Sequence, residues 1–355
     1  MQEIENIIKQ FDISSGLSSV RKAYDSRYES FLADFDDGTT VLFQMLPYIT
    51  GSGEKIMRNI AEITEYLKSA GMQNGADIIR FAKTRRGEYC HIDADGLWRG
   101  VYFNNRVHAP FDDDPSAVAY GLGRSIGLFH QRLNGMPTGR ISPADPNLHD
   151  TPAIFSIFQD AVTSADQMLC GEIQQELGYA QRQQNMCSAL IKMDLPFRII
   201  NNDVTSDRLL LDNESGEAIG LGSYDGVMAG AVAYDFGIGA SDICYSGLDG
   251  SDTFRNAAFE PDLFREYTKG YISAAGDMLT SEELESLPLG MIVMPLEQGL
   301  KDLTAYIKNP ADVSLRTNAR RGLKLCNLAQ LNYQTIRDII KVTMGKVFSD
   351  TRDSE

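Results

Sequence analysis

Five polar residues follow one another closely in mid-chain: Asn202, Asp203, Arg208, Ser223 and Asp225. The lead-in Arg198-Ile199-Ile200-Asn201 is apolar and β-rich, and it delivers Asp203 at a strand end. Leu209-Leu210-Leu211-Asp212 reads as a second strand, residues 213–216 as a turn, and residues 218–222 as a third strand that ends in Ser223-Tyr224-Asp225. Strand, acidic loop, strand, turn, strand, acidic loop is a layout that phosphoryl transfer uses. One carboxylate orients or deprotonates the acceptor hydroxyl. A group about five residues further on, with an acid on the neighbouring strand, holds the metal that bridges the phosphates. Period-two alternation sets Ser223 and Asp225 on one strand face. The plainer reading of the same residues is a hairpin with solvated aspartates at its loop ends, and Asp203 alone does not decide between the two.

The elements that must position this island differ on its two sides. Upstream, residues 27–34 and 39–46 are strand-like and joined by the turn Asp36-Asp37-Gly38. Residues 52–70 carry Ile56, Ile60, Ile63 and Leu67 at helical spacing, and Gly71 stops the helix. Residues 77–83, 88–93 and 97–103 are again strand-like. Downstream the pattern becomes helical over residues 115–133, much of 151–189, and from 261 to the end, interrupted by the β island at 197–237. Within that last stretch, 295–307 reads as an amphipathic helix with Pro295 in its first turn, and 320–348 as another. The expected architecture is α+β, with a small β-rich lobe over residues 1–103 and a larger helical lobe over 104–355. No G-x-G-x-x-G and no G-x-x-x-x-G-K-[ST] occurs, which removes the dinucleotide and P-loop readings.

The bulk properties bound the partners. The chain has 355 residues, 43% hydrophobic and 23% charged, enough to build a core. A net charge of −16 repels nucleic-acid phosphate and anionic lipid, so neither is expected as a partner. Cys90, Cys170, Cys187, Cys244 and Cys326 are odd in number and widely spaced, which argues against a disulfide framework or a zinc site. No signal peptide and no membrane-length apolar run is visible, and the expectation is a soluble, cytoplasmic protein.

The string Asn-Asn-Asp-x-x-x-x-x-Leu-Leu-Leu-Asp, then Ser-Gly-Glu-Ala, Tyr-Asp-x-Val-Met-Ala-Gly and Tyr-Asp-Phe-Gly resembles the aminoglycoside-phosphotransferase-like superfamily of the kinase-like fold. Within it the chain looks most similar to the N-acetylhexosamine 1-kinase branch, whose members read His-Asn-Asp-Thr-Lys-x-Asn-Asn-x-Leu-x-Asp and later Ile-Asp-Leu-Asp-Thr-x-Met-Pro-Gly. Met57-Arg58-Asn59-Ile60, Trp98-Arg99, His149-Asp150-Thr151-Pro152, Leu263-Phe264-Arg265-Glu266-Tyr267 and Leu323-Lys324-Leu325 fall in the same order as branch segments, so the resemblance spans nearly the whole chain. It implies a bilobal protein-kinase-like fold, with ATP and magnesium as cofactors and a sugar as the small-molecule ligand.

The resemblance places Asp203 on the catalytic aspartate, and Asn202, Arg208 and Ser223 at the nucleotide-cofactor site. Asn201 stands where the family has a supporting histidine, and Gln44 stands near the usual strand lysine. Arg208 stands on the metal-binding asparagine, and a guanidinium has five donors and no acceptor. Ser223 stands on the principal metal aspartate, leaving Asp225 as the remaining candidate metal ligand. The two replacements make the site two charge units more positive, where a unit pair at about 4 Å is worth roughly 4 kcal/mol at an effective dielectric near 20. The phosphate-covering turn, Tyr24-Asp25-Ser26-Arg27-Tyr28-Glu29-Ser30, has no glycine to form a backbone cradle. The expectation is therefore a kinase-like protein with lost or strongly reduced magnesium-dependent transfer. The alternative is an active kinase using Asp203, with Arg208 neutralising phosphate in place of the ion. His130 reads as a core or cap residue, and Asp235 as part of a structural loop. His149-Asp150 reads equally as a sugar contact or a helix start, and Arg320 and Arg321 as cleft or surface residues.

Overall fold

The computed structural model describes residues 2–352 except 24–27, 47–51, 73–78, 94–95, 104–105, 144, 146 and 249–253. The sequence expectation for the turn Tyr24-Asp25-Ser26-Arg27 lies outside the described residues. A short helix α1 (Gln2–Ile8), which the periodicity does not announce, precedes β1 (Leu17–Ala23), β2 (Glu29–Phe35) and β3 (Thr40–Leu46). Then come α2 (Ser52–Ser69), β4 (Phe81–Ala82), β5 (His91–Ile92) and β6 (Leu97–Phe103). These strands form one sheet in the order β1-β2-β3-β6-β4, with β5 on β6. The turn between β2 and β3 forms because Gly38 adopts φ +82° and Asp37 accepts the Thr39 N–H at 3.0 Å. Of the strands expected at 77–83 and 88–93, the described residues form the two-residue strands β4 and β5, both paired with β6; residues 77 and 78 lie outside the described residues.

The helical region contains β7 (Val107–His108), α3 (Pro115–Leu133), α4 (Thr151–Ser164), α5 (Gln167–Glu172) and α6 (Gln174–Arg182). The island follows as β8 (Arg198–Ile200), β9 (Leu209–Asp212), β10 (Ala218–Leu221) and β11 (Met228–Gly230). The chain continues through α7 (Val232–Ile243), β12 (Tyr245–Ser246), β13 (Ala258–Phe259), α8 (Pro261–Ala275), α9 (Ser281–Lys308), α10 (Val313–Leu331) and α11 (Tyr333–Arg352). Asp114 caps α3 by accepting the Ala117 N–H at 3.0 Å, and Asp150 caps α4 from Ala153 at 3.1 Å. The architecture is thus the expected α+β one, with a small N-terminal β-sheet region and a mainly helical C-terminal region.

Three boundaries differ from the sequence reading. Pro295 lies inside α9, not at a helix start: the capping box of Thr280 and Glu283 begins the helix much earlier, and burial against neighbouring helices carries it past both Pro288 and Pro295. The segment 320–348 is two helices, broken at Asn332. Asp235, expected in a loop, lies in the first turn of α7. That helix crosses α9 with backbones nearly touching: a Cβ on Gly237 would lie 2.2 Å from the Gly290 carbonyl oxygen, and one on Gly290 2.0 Å from that of Ala233. Two glycines at one crossing fix the depth at which α7 presents Asp235 to the island.

The cysteines are free thiols, with Cys187, Cys244 and Cys326 buried; burial pushes Cys187 and Cys326 up to about 12. Among the described residues no helix is long and apolar enough to cross a membrane.

Candidate functional site

β8 pairs with β11 and β9 with β10, so the loops that follow β8 and β10 meet at one place. Asn201 is the residue that joins them. Its Nδ2 donates to the Ser223 carbonyl at 2.9 Å, and its Oδ1 accepts the Asp203 N–H at 3.0 Å. Asp235 supports the loop from beneath, accepting the N–H groups of Asn201 and Asn202, both at 2.7 Å. Asp235 is fully buried, with His130 at 2.9 Å from its other side, and His130 in turn contacts the Tyr271 hydroxyl at 3.1 Å. The histidine read as a core residue therefore holds the acid that holds the loop.

Asn202 adopts φ +62°, a left-handed conformation that asparagine tolerates better than most residues. Its side chain is committed within the protein: Nδ2 donates to the Gly226 carbonyl at 2.8 Å, and Oδ1 lies 2.8 Å from His149 Nε2. His149 Nδ1 lies 3.1 Å from Glu297 on α9. Both ring nitrogens are thus engaged within the protein. Glu297 also accepts from Thr151 at 2.9 Å and Lys301 at 2.6 Å. Burial pushes the Glu297 carboxyl up, but His149 and Lys301 outweigh it and bring it down to about 2. His149 is therefore a loop-supporting residue while Asp150 starts the helix. Asn59 on α2 adds a further tie, donating to the Ser142 carbonyl at 2.7 Å and the Val227 carbonyl at 3.1 Å.

The two acids of the site are each met by a guanidinium. Arg208 Nε lies 3.3 Å from Asp203 Oδ1, and its other end lies 3.0 Å from Asp207. Asp225 is gripped from the N-terminal sheet. Arg99 on β6 donates to both of its oxygens, the Nη2 bond at 2.9 Å, and the Tyr28 hydroxyl adds a third bond at 2.9 Å. The register sets Gln44 opposite Arg99, and Gln44 Oε1 accepts Arg99 Nε at 3.0 Å. The rings of Tyr28 and Phe81 lie near the guanidinium, 5.3 and 5.8 Å from centroid to Cζ. Arg99 and Asp225 side chains are only 5% and 7% exposed.

Ser223 and Asp225 do not share a strand face, because β10 ends at Leu221. They sit in a turn where the Asp225 N–H reaches Ser223 Oγ at 3.4 Å, and Ser223 is 4% exposed. The donor set does not suit a divalent cation. Magnesium takes a near-octahedral shell of oxygens, whereas here both Asp225 oxygens serve Arg99, Asp203 faces Arg208, and the serine oxygen is neutral and buried. Among the described residues no group of three or more His, Cys, Asp or Glu is placed to hold a metal.

A cleft of about 450 Å³ opens beside Asn202 and Thr205, walled by α7, α9 and α10. Arg321 lines it, whereas Arg320 turns away to Glu176 on α6 at 2.6 Å. Sequence reasoning missed Arg99, Asn59 and Glu297 as site residues. Their signal was a polar side chain inside an otherwise apolar run, as in Leu97-Trp98-Arg99-Gly100-Val101 and Met294-Pro295-Leu296-Glu297.

No family model matches the chain. Several solved structures share its architecture. A spectinomycin phosphotransferase in complex with ADP and spectinomycin is 14% identical, with a TM-score of 0.60 over 93% of this chain and 98% of that one. An amicoumacin kinase in complex with AMP-PNP, Ca2+ and Ami is 13% identical, with a TM-score of 0.61 over 95% and 93%. A microcompartment-associated aminopropanol kinase is 16% identical, with a TM-score of 0.63 over 94% and 98%. The chain therefore has the kinase-like fold of the aminoglycoside-phosphotransferase-like kinases, built around a loop pair whose two acids are both paired with arginines.

Proposed function

We propose that this protein is a kinase-fold binding protein that takes a small molecule in the cleft beside Asp203 and does not carry out magnesium-dependent phosphoryl transfer. The observation that carries this reading is the pairing of both site carboxylates with guanidinium groups. Transfer from ATP needs cations to neutralise the β- and γ-phosphates and a base to receive the acceptor proton. Arg99 and Tyr28 use the oxygens of Asp225 that a metal would need, and Arg208 lies against Asp203. Asn202, named with Arg208 and Ser223 as a nucleotide contact, spends its amide on His149 and Gly226. The strings shared with N-acetylhexosamine 1-kinases favour a sugar-like ligand, and the structural neighbours' own small-molecule ligands agree with a cleft of this kind.

Calorimetry with ATP, with and without magnesium, tests the reading. The wild-type protein is expected to show no metal-dependent binding, and Arg208→Asn with Ser223→Asp to gain it. Metal-dependent micromolar ATP binding by the wild type would sink the proposal. A second reading rests on the retention of Asp203 beside the cleft: an ATP-dependent kinase in which Arg208 replaces the ion. It requires transfer from ATP in chelator-treated buffer, abolished by Asp203→Asn.

A further inference from the structure

We propose that the turn at residues 223–227 is a lock: it fixes the N-terminal sheet at one spacing from Asp203, so the site does not open and close around a ligand. This goes beyond the reading above, because it concerns how the molecule moves and not what the cleft takes.

Hydrogen bonds reach the turn from two sides. From the loop after β8, Asn201 Nδ2 donates to the Ser223 carbonyl at 2.9 Å and Asn202 Nδ2 to the Gly226 carbonyl at 2.8 Å. A Cβ on Gly226 would lie 2.6 Å from the Asn201 carbonyl oxygen, so the turn rests directly on the loop that carries Asp203. The buried Tyr224 ring packs on Phe129 of α3, with centroids 5.7 Å apart. From the N-terminal side, Arg99 and Tyr28 hold Asp225, and Asn59 on α2 donates to the Val227 carbonyl at 3.1 Å. Asn59 is also tied to Ser142 in both directions, donating to its carbonyl at 2.7 Å and accepting its N–H at 3.0 Å.

These ties act together because they are buried and converge on so few residues. Asn59, Arg99, Ser223 and Asp225 are all buried. A hydrogen bond is lost once donor and acceptor part by about 1 Å, so the sheet cannot swing without breaking the Arg99 and Tyr28 bonds at once. The first such movement separates a buried guanidinium from a buried carboxylate, which is costly for both. The apolar packing crosses the same boundary. Ile60 and Ile63 of α2 and Leu46 and Leu97 of the sheet share one hydrophobic core with Leu122 and Ile126 of α3. Kinase folds that close on a ligand do so by a hinge; here a buried polar cluster and a continuous core both span the region where that hinge would move.

The test measures the spacing directly on the full chain without ligand. The half-buried Cys90 and Cys170 are replaced by serine, and the three buried cysteines stay. Spin labels are placed at Lys22→Cys on β1 and Ile157→Cys on α4, both exposed, and pulsed electron paramagnetic resonance gives the distance distribution between them. A single narrow distribution is expected for this labelled parent. Arg99→Met with Asp225→Asn and Asn59→Ala removes the ties and leaves no lone charge. It is expected to widen the distribution about twofold or to add a second population at longer distance. Tyr28→Phe with Asn59→Ala keeps the ion pair, is gentler on folding, and is expected to widen it less. Glu62→Ala breaks the exposed Arg140–Glu62 pair between α2 and the segment before α4, and is expected to leave the width unchanged. A broad or two-peaked distribution in the labelled parent, an unchanged width in every unlocking variant that keeps its helical circular dichroism, or equal widening by Glu62→Ala would each overturn the proposal. Because neither ATP nor magnesium is present, none of these outcomes bears on whether metal-dependent transfer occurs.

Discussion

Replacing Arg99 by methionine removes the guanidinium and keeps an aliphatic stem between the rings of Tyr28 and Phe81. Arg99 donates three hydrogen bonds, two to Asp225 and one to Gln44, from a position where its side chain is 5% exposed. Hydrogen bonds to charged groups contribute roughly 1.5–3 kcal/mol each, and stripping one partner from a buried ion pair costs about 3–5 kcal/mol because the other charge stays buried. The Tyr28 hydroxyl, still bonded to Asp225, offsets part of that loss. Arg99→Met is therefore expected to lower stability by about 3–5 kcal/mol, and Asp225→Asn by a similar amount. The double variant leaves no lone charge, so its loss is expected to fall short of the sum by about 2–3 kcal/mol. Urea unfolding gives these values directly. Trp98, the only tryptophan and the neighbour of Arg99, reports on the sheet, while far-ultraviolet circular dichroism reports on the helices. Coincident transitions license a two-state treatment. A loss below about 1 kcal/mol in Arg99→Met, or strict additivity in the double variant, would show that the pair behaves like an exposed one and would refute the clamp.

Two further outcomes follow from the loop supports. Glu297 has its carboxyl lowered from 4.5 to about 2 in the folded protein, so its contribution to stability is full above pH 4.5 and is lost as pH falls from 4.5 toward 2. The contribution is of order 3 kcal/mol, and Glu297→Gln is expected to flatten the stability–pH curve in that window; an unchanged slope refutes the assignment. Asp235→Asn puts an amide donor where two backbone N–H groups and His130 now meet a carboxylate. It is expected to cost about 3 kcal/mol and to speed hydrogen exchange at the Asn201 and Asn202 amides, and unaltered exchange there would contradict the supporting role given to Asp235.

The elements at the centre of the site were readable because local periodicity and local turn chemistry suffice for them. Residues 115–133 carry a helical pattern behind Asp114 and Pro115, and that helix forms with those bounds. Asp203 and the strand pairs around it follow from alternation and from turn residues at 213–216. The expectations that the structure overturns depend on distant partners. Pro295 looked like a helix start because proline disrupts an isolated helix, yet packing on several sides carries α9 past it. Ser223 and Asp225 look alternately arranged only if period-two alternation is carried past Gly222, whereas β10 ends at Leu221.

The sequence by itself determined the inventory of charges in the site: an aspartate at 203, an arginine at 208, a serine at 223 and an aspartate at 225. It also determined that this inventory is two units more positive than the metal-binding pattern it resembles. Which cation meets which acid was decided only in three dimensions. Arg99 and Asp225 are 126 residues apart, and nothing in the spacing of either names the other. They meet because the Gln44–Arg99 register of the sheet and the turn after β10 bring a buried guanidinium and a buried carboxylate to one point. There each charge is tolerable only because the other is present.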